Sequence, residues 1–542
     1  MQTLPTATLP ADQKPIAAAH ARGGMVASPH YLASRAGAAI LQAGGSAVDA
    51  AIAANAVLTV VYPHMCSIGG DGFMLIHDGD SDKLWGLNGS GRAAQEASIA
   101  RLHKLGQREM PLRGPLPVTV PGAVSGWLLA HLRFGKLPWA TVLAAAIAVA
   151  RDGFLVTPRL HSALGSARHT IGNDPQGKAI FYPGNRLLAA GETLRNPQLA
   201  RSLTQIAADP ESFYRGKLAQ SIAADVQQRG GLLTTTDFVT HHADWVEPIS
   251  VVYRGYRVYE LPPNTQGLAV VLGLGILDGF DLGSMGAGSA AATHHLVEAK
   301  KIAFADRGRI ADPTFVPLPP ALLTADYAAE RRKLLDPHHA ASTVPQGQPA
   351  GGDTIYLCAA DRWGNVVSLI QSIYFAFGAG FVAGDTGIVL HNRGAYFQLD
   401  ASSPNSLQPG KRPFHTLIPA MAYRQGEDHP ALAFGTRGAD GQPQTQMQVF
   451  SNIADFGMDV AAAIAAPRWV HGGTVPGERA DLLMESRFPT SVRRQLQALG
   501  HTVNVASAWS EEMGHAQAIS RTADGYAGFA DPRGDGEAVG VD

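Results

Sequence analysis

The hydrophobic and polar positions of this chain change period several times, and each change marks an element. Ala-rich sequence follows Ser28-Pro29, where Ser28 is suited to cap a helix and Pro29 to open it; a helix is predicted from there to Gly44-Gly45. A second Ala-rich helix is predicted over 47–60, ending before Pro63. Gly69-Gly70-Asp71-Gly72-Phe73-Met74-Leu75-Ile76 reads as a turn leading into a buried strand. From 121 to 277 helical and strand-like pieces alternate, with an extended stretch over 249–259, and a further helix is predicted over 291–306. Residues up to about Lys14 read as a loose arm, and 336–352, rich in Pro, Gly, Gln and Ser without apolar period, as an exposed linker.

The strongest strand signal comes directly after that linker. Residues 354–360 are extended, Asp361-Arg362-Trp363-Gly364-Asn365 is turn-like, and 366–373 are extended again, a β-hairpin. Pairing Ala360 with Val366 sets Cys358 opposite Ser368, Tyr356 opposite Ile370 and Thr354 opposite Ser372. Side-chain alternation then puts all of these on one face, with two hydroxyls adjacent at the strand mouth.

Composition narrows the class of protein. The chain has 542 residues, 46% hydrophobic and 16% charged, enough to bury a large core. Its net charge of −2 offers no basic face for nucleic acid or an anionic membrane, and no apolar run reaches the ~20 residues of a membrane span. The N-terminal sequence lacks the basic and apolar regions of a signal peptide, and the two cysteines, Cys66 and Cys358, have no metal-ligand spacing. A cytoplasmic protein with buried thiols is expected. The doublets His241-His242, His294-His295 and His338-His339 cannot share one helix face as i, i+4 ligands do, so packing or surface roles are expected. No G-x-S-x-G elbow, phosphate-binding loop or H-E-x-x-H motif is present.

A Thr at a Gly-Gly-Asp-Thr junction is either an ordinary strand-start residue or a masked nucleophile. Cutting before it would free an α-amine with an intrinsic pKa of about 7.7–8.0, able to take the proton from its own hydroxyl.

Several motifs favour the second reading. Gly44-Gly45-Ser46-Ala47-Val48-Asp49-Ala50-Ala51, the Gly69–Leu75 turn, Val120-Pro121-Gly122-Ala123-Val124-Ser125-Gly126, Ala150-Arg151-Asp152-Gly153-Phe154, Tyr253-Arg254-Gly255-Tyr256, Leu261-Pro262-Pro263 and the 298–307 segment resemble the large subunit of γ-glutamyltranspeptidases. The 361–365 turn, Phe377-Gly378, Lys411-Arg412-Pro413 and Ala466-Pro467-Arg468 resemble the small subunit. The resemblance runs in order along nearly the whole chain. It implies a four-layer αββα sandwich of the N-terminal nucleophile hydrolase type, needing no cofactor and no metal. It implies a precursor cut between Asp353 and Thr354 into a large subunit, 1–353, and a small subunit, 354–542, that stay together as one intertwined domain and heterodimer. A dimer of such heterodimers is a further expectation. It also implies Thr354 as nucleophile, Ser372 as its supporting hydroxyl, and Gly438 and Ala439 as the oxyanion hole. Ala439 replaces a family glycine, which an N–H donor tolerates if its φ stays negative.

The substrate pocket departs from that family. Positions that hold the glutamyl ammonium there are Tyr374, Arg393 and Tyr396 here, with no carboxylate. The family's carboxylate-binding arginine falls on Ser90, with Arg92 two residues on, and its serine pair becomes His415-Thr416. Gly89-Ser90-Gly91-Arg92, Gln371-Ser372-Ile373-Tyr374, His391-Asn392-Arg393-Gly394, Pro413-Phe414-His415-Thr416 and Gly441-Gln442-Pro443-Gln444 resemble another branch, the oxamate amidohydrolases. That likeness implies a small carboxylate-bearing amide as substrate, gripped by Arg92, Arg393 or His415, with Thr416 nearby. Each of the three could instead be structural. The rival expectations are a γ-glutamyl hydrolase or transferase, an acylase for bulkier amides, and an uncut, non-catalytic binding protein.

Overall fold

The computed structural model describes residues 16–341, 353–472 and 481–542. The arm expected up to Lys14 and most of the expected linker lie outside the described residues.

Two seven-stranded sheets dominate. In spatial order the first is Glu537–Val541, Gly24–Ser28, Asp353–Asp361, Val366–Tyr374, Asp71–Asp78, Lys83–Gly89 and Asp244–Val246. The second is Ala19–Ala21, Gly525–Ala530, Ala516–Thr522, Pro430–Thr436, Ala420–Arg424, Tyr256–Glu260 and Ile249–Tyr253. Neighbouring strands in both are antiparallel. Each sheet therefore takes strands from both sides of residue 353.

The layers follow from side-chain alternation. Along Asp353–Asp361, Ile355, Leu357 and Ala359 enter the core shared with the helices Tyr31–Gln42, Ala47–Val61 and Trp139–Asp152. Tyr356, Cys358 and Ala360 point the other way, meeting Leu417, Met421, Ala433 and Ile519 of the facing sheet and its approaches. The second sheet's other face, with Ala420, Leu432, Phe434 and Ala518, is covered by the helices Gly267–Leu277, Ala290–Arg307 and Gly441–Ala454. The result is helix, sheet, sheet, helix, the expected αββα sandwich.

The helix Ala47–Val61 is buried along its whole length, and its many alanines permit that close approach. Its start carries a capping box, Ser46 with Asp49, and Ala47 N–H donates to Asp361 Oδ2 at 2.8 Å, tying the helix to the hairpin turn. The first helix begins later than expected. Ser28 ends a strand with its hydroxyl 2.9 Å from His30 O, and His30 is the cap, its ring Nδ1 accepting from Leu32 N–H at 3.2 Å. An imidazole can satisfy an orphan helix donor as a serine does, which displaced the start to Tyr31.

The hairpin has the expected register: Ala360 pairs Val366, Cys358 pairs Ser368, and Tyr356 pairs Ile370. A bulge between Asp353 and Ile355 shifts the pairing at the strand mouth, so Asp353 lies opposite Tyr374.

Candidate active site

Register places three polar side chains in one cross-strand row facing the second sheet. Ser372 pairs with Asp71 on one side, and Thr354 lies on the other with its hydroxyl donating to Ser372 Oγ at 3.3 Å. All three are at most 1% exposed. Gly70, just before Asp71, has to be glycine, because a Cβ there would come within 2.4 Å of Ser372 O.

Ser372 Oγ also accepts from Tyr374 N–H at 2.7 Å and from Arg393 Nη2 at 3.4 Å. Tyr374 has φ +77°, a conformation costing about 1–3 kcal/mol for a non-glycine residue, held by the packed surroundings. The Arg393 guanidinium is 1% exposed, donates to Thr416 Oγ1 at 3.1 Å, and stacks on the rings of Tyr374 and Tyr396 at 4.4 and 5.5 Å. Burial pulls its pKa down while the two tyrosines, Asp71 and Asp440 oppose that. Among the described residues no carboxylate reaches ion-pair distance of it.

Asp71 organises the floor of the site. Oδ1 accepts from Gly91 N–H and Gly122 N–H at 2.9 and 3.3 Å; Oδ2 lies 3.1 Å from His415 Nε2 and 3.6 Å from His391 Nδ1. Burial favours the neutral carboxyl, but His391, His415 and Arg393 outweigh it and hold Asp71 well below the usual carboxylate range. Leu417 N–H donates to His415 Nδ1 at 3.4 Å, so Nε2 carries the proton toward Asp71. Burial and Arg393 push the His415 pKa down to about 3, leaving a neutral ring.

On the facing sheet, the strand Pro430–Thr436 ends in the loop of Gly438 and Ala439, just before the helix Gly441–Ala454. Among the described residues neither the Gly438 nor the Ala439 N–H has a hydrogen-bond partner. The φ values are +127° and +45°, so the expectation of a negative φ at Ala439 is corrected. A Cβ in the left-handed region costs about 1–2 kcal/mol. The loop is clamped: Gln266 donates to Ala439 O and to Thr416 O, both at 2.9 Å, and accepts from Arg307 at 3.1 Å. Arg307 in turn grips Asp440 with two bonds, at 2.5 and 3.1 Å.

The structure thus brings Thr354, Ser372, Tyr374, Arg393, Tyr396 and Thr416 together. His415 sits beneath them, engaged by Asp71. Arg92 is drawn elsewhere, donating to Asp244 Oδ2 at 3.0 Å and His242 O at 3.1 Å beside Arg412, which shares Asp244. Residue-level reading missed the clamp of Gln266, Arg307 and Asp440 and the hub role of Asp71. Their partners are remote in sequence; Asp71 and Arg307 fall inside the quoted motifs, whereas Gln266 and Asp440 fall outside them. A cavity of about 250 Å³ opens beside Arg437, which precedes Gly438; His64, Arg113, Arg159, Ala376 and Glu511 also line it. The metal-compatible clusters among the described residues, His77/Asp82/His429 and His294/Glu298/His501, include none of these site residues.

The likeness to known proteins extends along nearly the whole chain. The γ-glutamyltranspeptidase family model matches residues 33–541. A glutathione hydrolase-like proenzyme of Bacillus subtilis is 41% identical over 95% of this chain and 98% of its own. An oxamate amidohydrolase proenzyme of Klebsiella pneumoniae is 39% identical over the same shares of the two chains. The crystal structure of a cephalosporin acylase from Bacillus halodurans superposes with a TM-score of 0.90 at 38% identity, covering 100% of this chain and 99% of that one. With sequence and fold both matched along nearly the whole length, the chain belongs to the γ-glutamyltranspeptidase family and is an amide-bond hydrolase of the N-terminal nucleophile type.

Proposed function

We propose that the chain is a precursor that cuts itself between Asp353 and Thr354, and that the mature 1–353/354–542 heterodimer hydrolyses a small carboxylate-bearing amide such as oxamate. The observation that carries the substrate class is Arg393. A buried guanidinium without a carboxylate partner is unfavourable unless an anion joins it, and this one lies on the hydroxyl that touches Thr354.

In the first stage the Thr354 hydroxyl attacks the Asp353 carbonyl; the C–N bond breaks, freeing the α-amine of Thr354 and leaving Asp353 as an ester on its hydroxyl, and water then hydrolyses that ester to release the Asp353 carboxylate. In the second, that amine takes the Thr354 hydroxyl proton as the oxygen attacks the substrate amide carbon. The N–H groups of Gly438 and Ala439, which have no hydrogen-bond partner among the described residues, meet the oxyanion. Arg393 holds the substrate carboxylate, and Ser372 orients the nucleophile. The amine passes its proton to the departing nitrogen, and water then hydrolyses the acyl ester.

The B. subtilis relative supports a second reading, a γ-glutamyl hydrolase. Against it stands the cation at the position where an ammonium would need an acid. One set of assays separates the readings: a denaturing gel with N-terminal sequencing, and ammonia release from oxamate compared with turnover of a γ-glutamyl anilide. We expect a chain starting at Thr354, ammonia from oxamate, and loss of both cutting and turnover by at least about 10³-fold in Thr354→Ala. Fast anilide turnover with an inert oxamate would move the assignment to the second reading.

A further inference from the structure

We infer that His77, Asp82 and His429 form a binding site for one zinc-class divalent cation, joining the two sheets at the end remote from Thr354. His77 lies on the strand Asp71–Asp78 on the same face as Asp71, in the row formed by Ala360, Val366 and His77. Asp82 comes from the turn to the next strand, Lys83–Gly89, and His429 from the turn between Ala420–Arg424 and Pro430–Thr436 in the facing sheet. The donors therefore come from both halves of the sandwich.

The geometry is that of a prepared site. Asp82 Oδ1 is 3.8 Å from His77 Nε2 and 3.3 Å from His429 Nδ1, and the three donor atoms lie within 4.8 Å of one another. Among the described residues neither ring nitrogen has a hydrogen-bond partner, and the His77 side chain is fully buried. An ion with bonds of about 2.0–2.1 Å in tetrahedral geometry sets its donors roughly 3.3–3.5 Å apart. Asp82 and His429, with side chains 47% and 41% exposed on surface turns, can move to close the remaining separations.

Supporting contacts hold the ligands. The Tyr423 hydroxyl lies 3.1 Å from His77 Nδ1, the outer contact by which a metal-bound imidazole is oriented. The turn carrying Asp82 is stitched by Asp78, which accepts from Asp80 N–H at 3.3 Å and from the Ser81 hydroxyl at 2.6 Å. Arg521 and Asp78 contribute opposing charges at His77. His429 and Asp82 face solvent at the rim, so a water can complete the shell. The other triad is already satisfied: His294 and His501 share a hydrogen bond at 2.8 Å, and Lys301 occupies Glu298 at 2.7 Å.

The test uses the purified full-length protein, stripped with a chelator and dialysed, then titrated with zinc and with cobalt at pH 7.5. One equivalent of zinc should bind at micromolar concentration and raise Tm, and cobalt should give the visible bands of a nitrogen- and oxygen-ligated tetrahedral ion. His429→Gln, at a partly exposed turn, should lose the bound equivalent and the Tm rise while keeping the metal-free Tm and the amide hydrolysis rate. Asp82→Asn should weaken binding in the same assay. Failure of the wild type to take up zinc, or full uptake by His429→Gln, overturns the assignment.

Discussion

The strand Asp71–Asp78 sends a titratable side chain into the inter-sheet layer near each of its ends, and the two are treated in opposite ways. Asp71 has both oxygens engaged, by two backbone N–H groups and by His415. His77, six residues on, faces Asp82 and His429 with a ring nitrogen that has no hydrogen-bond partner among the described residues. Between them Phe73 and Leu75 fill the apolar rows. The contrast separates two uses of buried polarity. A saturated group fixes geometry, whereas an unsatisfied one marks where a ligand arrives, with a sign opposite to its own. At the Asp71 end Arg393 is hydrogen-bonded but has no carboxylate partner among the described residues, and there the missing charge is negative.

Removing the saturation should do the most damage. Asp71→Asn leaves two backbone donors and His415 facing an amide that cannot accept from all of them, and should destabilise the protein by about 3–5 kcal/mol in urea unfolding. Unchanged stability would mean that Asp71 is not the fixed point described. Arg393→Met keeps much of the stacking but removes the charge. It should lower kcat/KM for a carboxylate amide by about a hundredfold, equivalent to the ~1.5–3 kcal/mol of a charged hydrogen bond, and leave chain cutting intact. An uncharged amide of the same size should be affected far less; equal losses on both would remove the anion argument.

Glu260 offers a third case, a buried carboxyl with neither oxygen hydrogen-bonded among the described residues. Burial pushes its pKa well above the ordinary value, so it is resolved by keeping a proton rather than by gaining a partner. The folded state then binds a proton that the unfolded state releases above about pH 4.3. Its contribution is complete below that pH and declines as pH rises toward the folded pKa. Glu260→Gln should flatten the decline, so that the variant gains stability relative to wild type from pH 5 to pH 8 in chemical denaturation. The smallest effect is expected from Ala439→Gly, which relieves a φ of +45°: stability should rise by about 1 kcal/mol, with hydrolysis changed less than about threefold.

The parts legible in the sequence were those with a local origin. The 361–365 turn set a zero for counting, period-2 alternation carried the register to Thr354 and Ser372, and the same alternation put the nucleophile candidate between the sheets. The bulge at the strand mouth moved Asp353 opposite Tyr374, which no local pattern signalled. The cap at His30 was misplaced because serine and proline statistics favoured Ser28-Pro29, while a ring nitrogen did the same work two residues later. Arg92 and Arg393 look alike as residues. Only tertiary placement shows that Asp244 takes one and leaves the other facing the hydroxyls. The backbone at Ala439 was equally invisible, since the groups that hold its loop, Gln266 and through it Arg307, lie far along the chain.

The weave of the two sheets has a consequence of its own. Strand Asp353–Asp361 lies between Gly24–Ser28 and Val366–Tyr374, so neighbours in one hydrogen-bonded ladder descend from opposite sides of that junction. A nick there would leave the rungs from Ile355 to Asp361 in place. The fragments would migrate as one particle on a sizing column and part only in detergent. Supplying them from separate messages would demand that each half reserve a strand-wide gap for the other before either had a core.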